Sequence, residues 1–428
     1  MGDAVLVAGA GIAGTAVALA LDKAGFAVRV YEAHPYDGAD IGAFLTLAAN
    51  GMRALAQLDA AAPVAAAGFA LTELRVLGAD GAELGRKPLD GHQDPLTSFR
   101  CLRRADLCAV LRAEAGRRGI PIRHGKRLAA IDEDPGGVTA RFADGDTARG
   151  ALLVGADGLN SPTRTLLDPA AAPPRYAGQR VFYGYTTARV AGADPAPRIT
   201  MIRGTAAAFG FAVSPAGETY WFARVPGPPN TTEPPRNGTA PGDADGTGAT
   251  GPGPNDATRA DTAADGAGDD GLSAARWRDE LVESLRPDAT PAADLVAAAE
   301  QLMVTDARDL PDVARWRSAP HGRTLLVGDA AHAASPATGQ GASMALEDAV
   351  VLGKAMRAQP LTEAPATYER VRRPRVDRNI ATSARLTAAR TGRPPDADTS
   401  PDQRAHPSFR DDEAALIRLL DWDTPLPT

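Results

Sequence analysis

At 428 residues with 44% hydrophobic side chains, the chain is long enough for two closely joined domains around a large core. Its net charge of −7 excludes a nucleic-acid partner, because the segment 226–271 carries −6 of it (eight acids, two arginines) and the remainder is near neutral without a basic patch. Two cysteines, Cys101 and Cys108, argue against a disulfide framework or a metal centre, and with no basic leader and no run of eighteen apolar residues a cytoplasmic, unanchored protein is expected.

The chain opens with VLVAGAGIAGTAVALALDKAGFAVRVYEA. An apolar run predicts a buried parallel strand. Gly9, Gly11 and Gly14, with Ile12 and Ala13 before the last of them, then form a tight turn into a helix whose N–H groups and dipole favour a pyrophosphate. Gly25 stops that helix, and a second strand ends at Glu32-Ala33, where a carboxylate can accept hydrogen bonds from both ribose hydroxyls and would repel a 2′-phosphate. A dinucleotide site follows, without distinguishing NAD from FAD.

Further along, a helix capped by Asn50 is expected to run to Leu58, and a hairpin to turn at Asp80-Gly81. In FRCLRRADLCAVLRAEAGRRG a helix ends at Gly119, with Arg103 and Arg104 at its start. Cations oppose the helix dipole there, which points to an anion nearby. Two strands joined at 134–137 lead to ALLVGADGLNSPTRTLL, where a buried strand delivers Asp157 at its carboxyl end. Nine of the 21 aromatic residues lie between Tyr176 and Phe222 on alternating strands, with Tyr183 and Tyr185 sharing one face. Segment 226–271 is dominated by Gly, Pro, Ala, Thr and Asp and is expected to be a disordered insertion. In GRTLLVGDAAHAASPATGQGASMALEDAVVLGKAM a second strand ends in Gly328-Asp329. A loop with Pro336 and Gly339-Gln340-Gly341 then enters a helix from about Ala342 to Met356. An amphipathic helix over 368–390 closes the pattern.

GxGxxG at the start, GADG in the middle and GDAAH…P…GQG near residue 330 resemble, in order and spacing, the family of single-component FAD-dependent aromatic monooxygenases. The resemblance covers roughly residues 4–385 apart from the insertion. It implies an α/β fold in which a Rossmann-like FAD-binding domain (1–75, 104–170, 304–360) is interleaved with a mixed β-sheet substrate domain (76–103, 171–303), followed by C-terminal helices (361–428). It further implies FAD held by Gly9, Gly11, Ile12, Ala13 and Gly14 at the pyrophosphate, Glu32 and Ala33 at the adenosine ribose, and Arg104, Gly328 and Asp329 along the ribityl and phosphate portion, with Asp157 in a motif implicated in both FAD and nicotinamide-cofactor binding. Pro336, Gly339, Gln340, Gly341 and Ala342 would line the flavin ring, the helix start supplying positive potential to its reduced form.

The activity so implied is NADH- or NADPH-driven reduction of the flavin, addition of O2 to give a flavin hydroperoxide, and oxygen transfer to an aromatic or other electron-rich small molecule, including one of bacterial secondary metabolism. No metal is called for, and a monomer or homodimer is expected. Tyr183, Tyr185 and Arg203 are candidates to anchor or deprotonate a substrate, and His332, in GDAAH, is the titratable group near the flavin ring, where the resemblance implies a structural role before proton transfer. Epoxidase, reductase or halogenase chemistry on the same cofactor domain and a non-catalytic flavin carrier remain alternatives, although the W-x-W-x-I-P stretch of halogenases is lacking.

Overall fold

The structure, a computed structural model, describes residues 4–36, 43–89, 94–230, 269–310, 312–319, 321–391 and 409–427. Most of the expected insertion, 231–268, lies outside the described residues.

Apolar runs too short for helices become the centre of a parallel sheet. Val5–Ala8 lies between Leu152–Gly155 and Val28–Tyr31, with Thr324–Leu326 and Ile122–Arg123 at the edges. Both central strands are buried along their whole length because both faces are covered. Val5 and Val7 pack against the helices Ile12–Lys23 and Gly341–Ala358, whereas Leu6 and Ala8 pack against an antiparallel sheet of Leu128–Asp134, Gly137–Phe142 and Thr147–Gly150. The two helices meet where Ala20 faces Gly353, and a Cβ on Gly353 would stand 3.0 Å from that of Ala20.

A seven-stranded sheet forms the second layer, in the order Gln301–Asp309, Arg175–Thr186, Thr219–Pro226, Ala208–Val213, Arg198–Arg203, Glu73–Gly78 and Glu83–Pro88. It is antiparallel except between Arg198–Arg203 and Glu73–Gly78, which makes it mixed. Period-2 alternation divides its aromatic residues. Phe182, Phe209, Phe211 and Trp221 pack beneath the helices Asp269–Leu285 and Ala292–Ala297, while Tyr183, Tyr185, Tyr220 and Phe222 gather around Phe44 on the opposite face. Phe99–Arg103 pairs instead with Phe44–Leu47 and Phe69–Leu71 in a small sheet between the layers, so only the first part of 76–103 belongs to the large sheet.

The architecture is the α/β fold expected, a parallel nucleotide-type sheet interleaved with a mixed sheet and followed by helices. One local expectation is corrected. The helix Ala49–Gln57 starts from Ala48 without a side-chain cap, and Asn50 lies within it because its amide is engaged elsewhere: Nδ2 donates to Gln340 Oε1 (3.0 Å) and Glu347 Oε1 (2.7 Å). The helix expected over 368–390 runs over Ala364–Thr391, beginning earlier than expected and carrying Pro374 inside it, and Phe409–Leu420 follows it. Among the described residues, no helix is long and apolar enough to cross a membrane.

Candidate active site

Between the two layers lies a cavity of about 440 Å³. Its nucleotide side is built by Gly11, Ile12, Ala13, Ala156, Gly158, Arg104 and Asp329 and by the loop and helix start from Ala334 to Ala342. The opposite wall is the sheet face bearing Val181, Tyr183, Ile199, Met201, Phe222 and Arg224, with Phe44, Leu45 and Thr46 at its edge.

Sequence explains the nucleotide side locally. Gly9 takes φ +103°, which L side chains rarely adopt, and its added Cβ would stand 2.5 Å from the Ala156 carbonyl oxygen. Gly14 is tighter, since a Cβ there would lie 1.9 Å from the Gly9 oxygen. Gly11 differs from both. Its backbone is ordinary, with φ −74° and ψ −166°, and a Cβ would meet no protein atom within 4 Å. The protein itself leaves that space open.

The helix Ile12–Lys23 starts at Gly11 and the helix Gly341–Ala358 starts at Gln340, and neither start has a side-chain cap. Unpaired N–H groups and the positive dipole ends of two helices therefore converge on one cavity, with Arg104 adding a full charge. Such a field suits a phosphorylated or otherwise anionic planar group. Glu32, just past Val28–Tyr31, accepts hydrogen bonds from the N–H groups of Ala10 (2.7 Å) and His34 (2.9 Å), which ties the second strand to the glycine turn.

Of the residues singled out by sequence, Gly11, Ile12, Ala13, Arg104, Tyr183, Asp329, Pro336, Gly339, Gln340, Gly341 and Ala342 line the cavity, and Gly9, Gly14, Glu32, Ala33 and Gly328 shape the turns behind it. Four stand elsewhere. Asp157 spends its carboxylate on Ser161 Oγ and on Thr163 N–H and Oγ1 (2.9 and 2.6 Å), fastening the start of the helix Pro162–Leu167; only its neighbours Ala156 and Gly158 reach the cavity. Tyr185 stacks under the Arg103 guanidinium, 4.6 Å from the ring centre, and Arg103 pairs with Glu218 at 2.6 Å, so this arginine serves a side-chain cluster and leaves the anion to Arg104. Arg203 is exposed at the end of its strand.

His332 is the fourth residue that stands away from the cavity lining. It is buried in the turn Asp329–His332, its Nε2 lies 2.6 Å from Asp348 Oδ2, and its ring lies against Trp316. Asp348 and Glu347 in turn hold the fully buried Arg372, at 2.7 and 2.6 Å. His332 thus belongs to a buried ionic network between the helices Gly341–Ala358 and Ala364–Thr391.

Sequence reasoning missed Arg224, Ile199, Met201 and Phe44. A signal for Arg224 was present. In TYWFARV it shares the parity of Tyr220 and Phe222, so a lone cation continues an aromatic strand face. No group of three His, Cys, Asp or Glu residues among the described residues could hold a metal ion.

The FAD binding domain family model matches residues 3–237 and 258–383. The chain is 29% identical over 393 residues to the aurachin C monooxygenase/isomerase of Stigmatella aurantiaca, covering 90% of this chain and 89% of that protein. It is 31% identical over 377 residues to the 3-amino-4-hydroxybenzoate 2-monooxygenase of Streptomyces cremeus, with coverages of 87% and 83%. A crystal structure of a Klebsiella pneumoniae HpxO variant complexed with FAD superposes with a TM-score of 0.74 at 25% identity, over 98% of this chain and 94% of that one.

Proposed function

This chain belongs to the FAD binding domain family of single-component aromatic monooxygenases, and on that premise we propose that it uses NADH or NADPH and O2 to place one oxygen atom on an electron-rich aromatic small molecule. One observation carries the reading: two uncapped helix starts and an aromatic sheet face share a single cavity. The residues present fit the cofactor. Gly11 leaves open space where a pyrophosphate needs close backbone approach, and the N–H groups of Ile12 and Ala13 would bind it. Glu32 would take the adenosine ribose, and Arg104 and Asp329 the polar chain between phosphate and ring. Pro336 and residues 339–342 would border the ring itself, where the Gly341–Ala358 helix start would favour negative charge on it. Bound FAD, reduced by the nicotinamide nucleotide, supplies the activated oxygen.

The protein's own contribution is positioning and exclusion of water. Ionisable groups lining the cavity are Arg104, Tyr183, Arg224 and Asp329, and the rest of the substrate wall is apolar. Burial pushes the Tyr183 phenol up to about 12, only partly offset by Arg224, so it stays protonated near neutrality. It can donate a hydrogen bond there but is no resting base. Tyr183→Phe is accordingly expected to raise KM while the pH–rate profile keeps its shape between roughly pH 6 and 9. Displacement of a limb of that profile would assign proton transfer to this residue instead.

The reading as a whole is tested by purifying the full chain, recording its flavin spectrum, and screening phenols, aromatic acids and indoles for stimulated NAD(P)H consumption. Under ¹⁸O2 the product should gain one labelled atom. A colourless protein that cannot be reconstituted with FAD, or stimulated consumption without label in any product, overturns it.

A further inference from the structure

Arg224 lies in the sheet wall of the cavity, opposite Val181 in the strand pairing, and the neighbouring pair sets Tyr183 against Phe222. Its guanidinium sits 5.9 Å from the Phe222 ring centre, and its Nε is buried without a hydrogen-bond partner. No carboxylate among the described residues pairs with it. Instead a second cation, Arg390 of the Ala364–Thr391 helix, lies close enough to act against its charge, and Arg203 acts in turn on Arg390. Arg390 spends a hydrogen bond on the Gly204 carbonyl (3.3 Å) and likewise has no acidic partner among the described residues.

Other buried cations have partners of their own: Arg164 donates to the Ala330 and Leu159 carbonyls and Lys354 to those of Leu419 and Asp421. Arg372 holds two carboxylates, and Arg118 pairs with Glu114 at 2.7 Å. A guanidinium half-buried among apolar side chains without a counter-charge is costly unless something else supplies the anion. The cofactor is poorly placed to do so. Its phosphates would lie at the Gly11 turn beside Arg104, on the nucleotide side, whereas Arg224 stands in the opposite wall with Ile199 and Met201.

We propose that Arg224 is a specificity-determining residue that binds a negatively charged oxygen of the substrate, with Arg390 and Arg203 marking a cationic approach to it. This rests on the oxygenase reading and narrows its substrate to a planar ring carrying a carboxylate or an ionised ring hydroxyl. The Phe222 and Tyr183 side chains would flank the ring, while the planar fork of Arg224 offers two parallel donors to a carboxylate or one to a ring oxygen.

The test is isothermal titration calorimetry on the purified full chain with matched anionic and neutral compounds. Benzoate against benzamide and 4-hydroxybenzoate against 4-hydroxybenzamide probe a carboxylate, and 4-nitrophenolate against 4-nitroanisole probes a ring oxyanion. In the wild type the anion of at least one pair is expected to bind about 10- to 100-fold more tightly than its neutral partner, the magnitude of one charge-assisted hydrogen-bonded contact. Which pair shows the preference identifies the oxygen. Arg224→Met should remove the preference while changing the neutral compound less than about 2-fold, and Arg224→Lys should retain part of it. Arg390→Gln, further from the ring, should lessen it, and keeps the claim testable if Arg224 variants do not fold. Failure of every anion to bind, equal binding within all pairs, or a preference that survives Arg224→Met overturns the proposal. The flavin spectrum of the same samples scores the oxygenase reading separately: a flavin-loaded chain without anion preference loses this inference alone.

Discussion

Gly11→Val is expected to fold and to lose its flavin. The three glycines of the first turn are required for different reasons, and the structure separates them. Gly9 needs its positive φ and lies against Ala156, and Gly14 has no room for a methyl group beside the Gly9 carbonyl. Gly11 has a backbone that any residue can adopt and open space where its side chain would be. A valine there costs the helix start a poorer N-cap, about 1 kcal/mol, which in a chain of this size lowers Tm by no more than about 4 °C. Its branched methyl groups would occupy the space in front of the Ile12 and Ala13 N–H groups. Losing two charge-assisted hydrogen bonds to a pyrophosphate, worth about 1.5 kcal/mol or more each, raises the Kd for FAD at least about 100-fold. Circular-dichroism melts of the apoprotein and flavin titration measure the two effects independently. Gly14→Ala should show the reverse order, with folding impaired first. Stoichiometric flavin in purified Gly11→Val would remove this turn from the cofactor site.

How far the site could be read in advance follows from the range of the forces that make it. The strands Val5–Ala8 and Leu152–Gly155 and the turns at Gly9, Gly14 and Gly328 were legible because small residues and apolar runs act on the backbone within a few positions. Asn50 looked like a helix cap because that is its local preference, yet partners 290 and 297 residues away outbid the cap. His332 lies three residues from Asp329, but the turn that contains both sends it into Asp348, whose position depends on the packing of another helix. Arg224 acquires its meaning from the register that sets it opposite Val181, and from the absence of a carboxylate near it among the described residues. Neither fact exists until distant strands are paired.

Arg372→Met is expected to be the most destabilising single change in the C-terminal half, and its effect should shrink in acid. Arg372 is fully buried. It donates from Nε to Asp348 Oδ1 (2.7 Å), from Nη1 to Glu347 Oε2 (2.6 Å) and from Nη2 to the Met344 carbonyl (3.2 Å). Removing one partner of a buried ionic set strands the others, at a cost of about 3–5 kcal/mol near pH 7. Burial alone would push the Asp348 carboxyl up, but the charges of His332 and Arg372 outweigh it and hold the group at about 2. Glu347 is likewise held low against burial by Arg372 and Arg375. A carboxyl depressed below its unfolded value of about 4 contributes stability that is fully present above that value and is lost as pH falls through the folded one. The wild type should therefore lose this contribution between about pH 4 and 2. In Arg372→Met the stranded carboxyls are pushed upward, and protonation relieves them. The penalty relative to wild type, measured by urea unfolding, should then be smaller at pH 4.5 than at pH 7, whereas the loss of a merely space-filling side chain would cost the same at both. The same network reaches the cavity, because Asn50 joins Glu347 to Gln340 at the start of the Gly341–Ala358 helix. Flavin affinity in the variant should fall along with stability, and a variant that kept wild-type affinity would detach the network from the site.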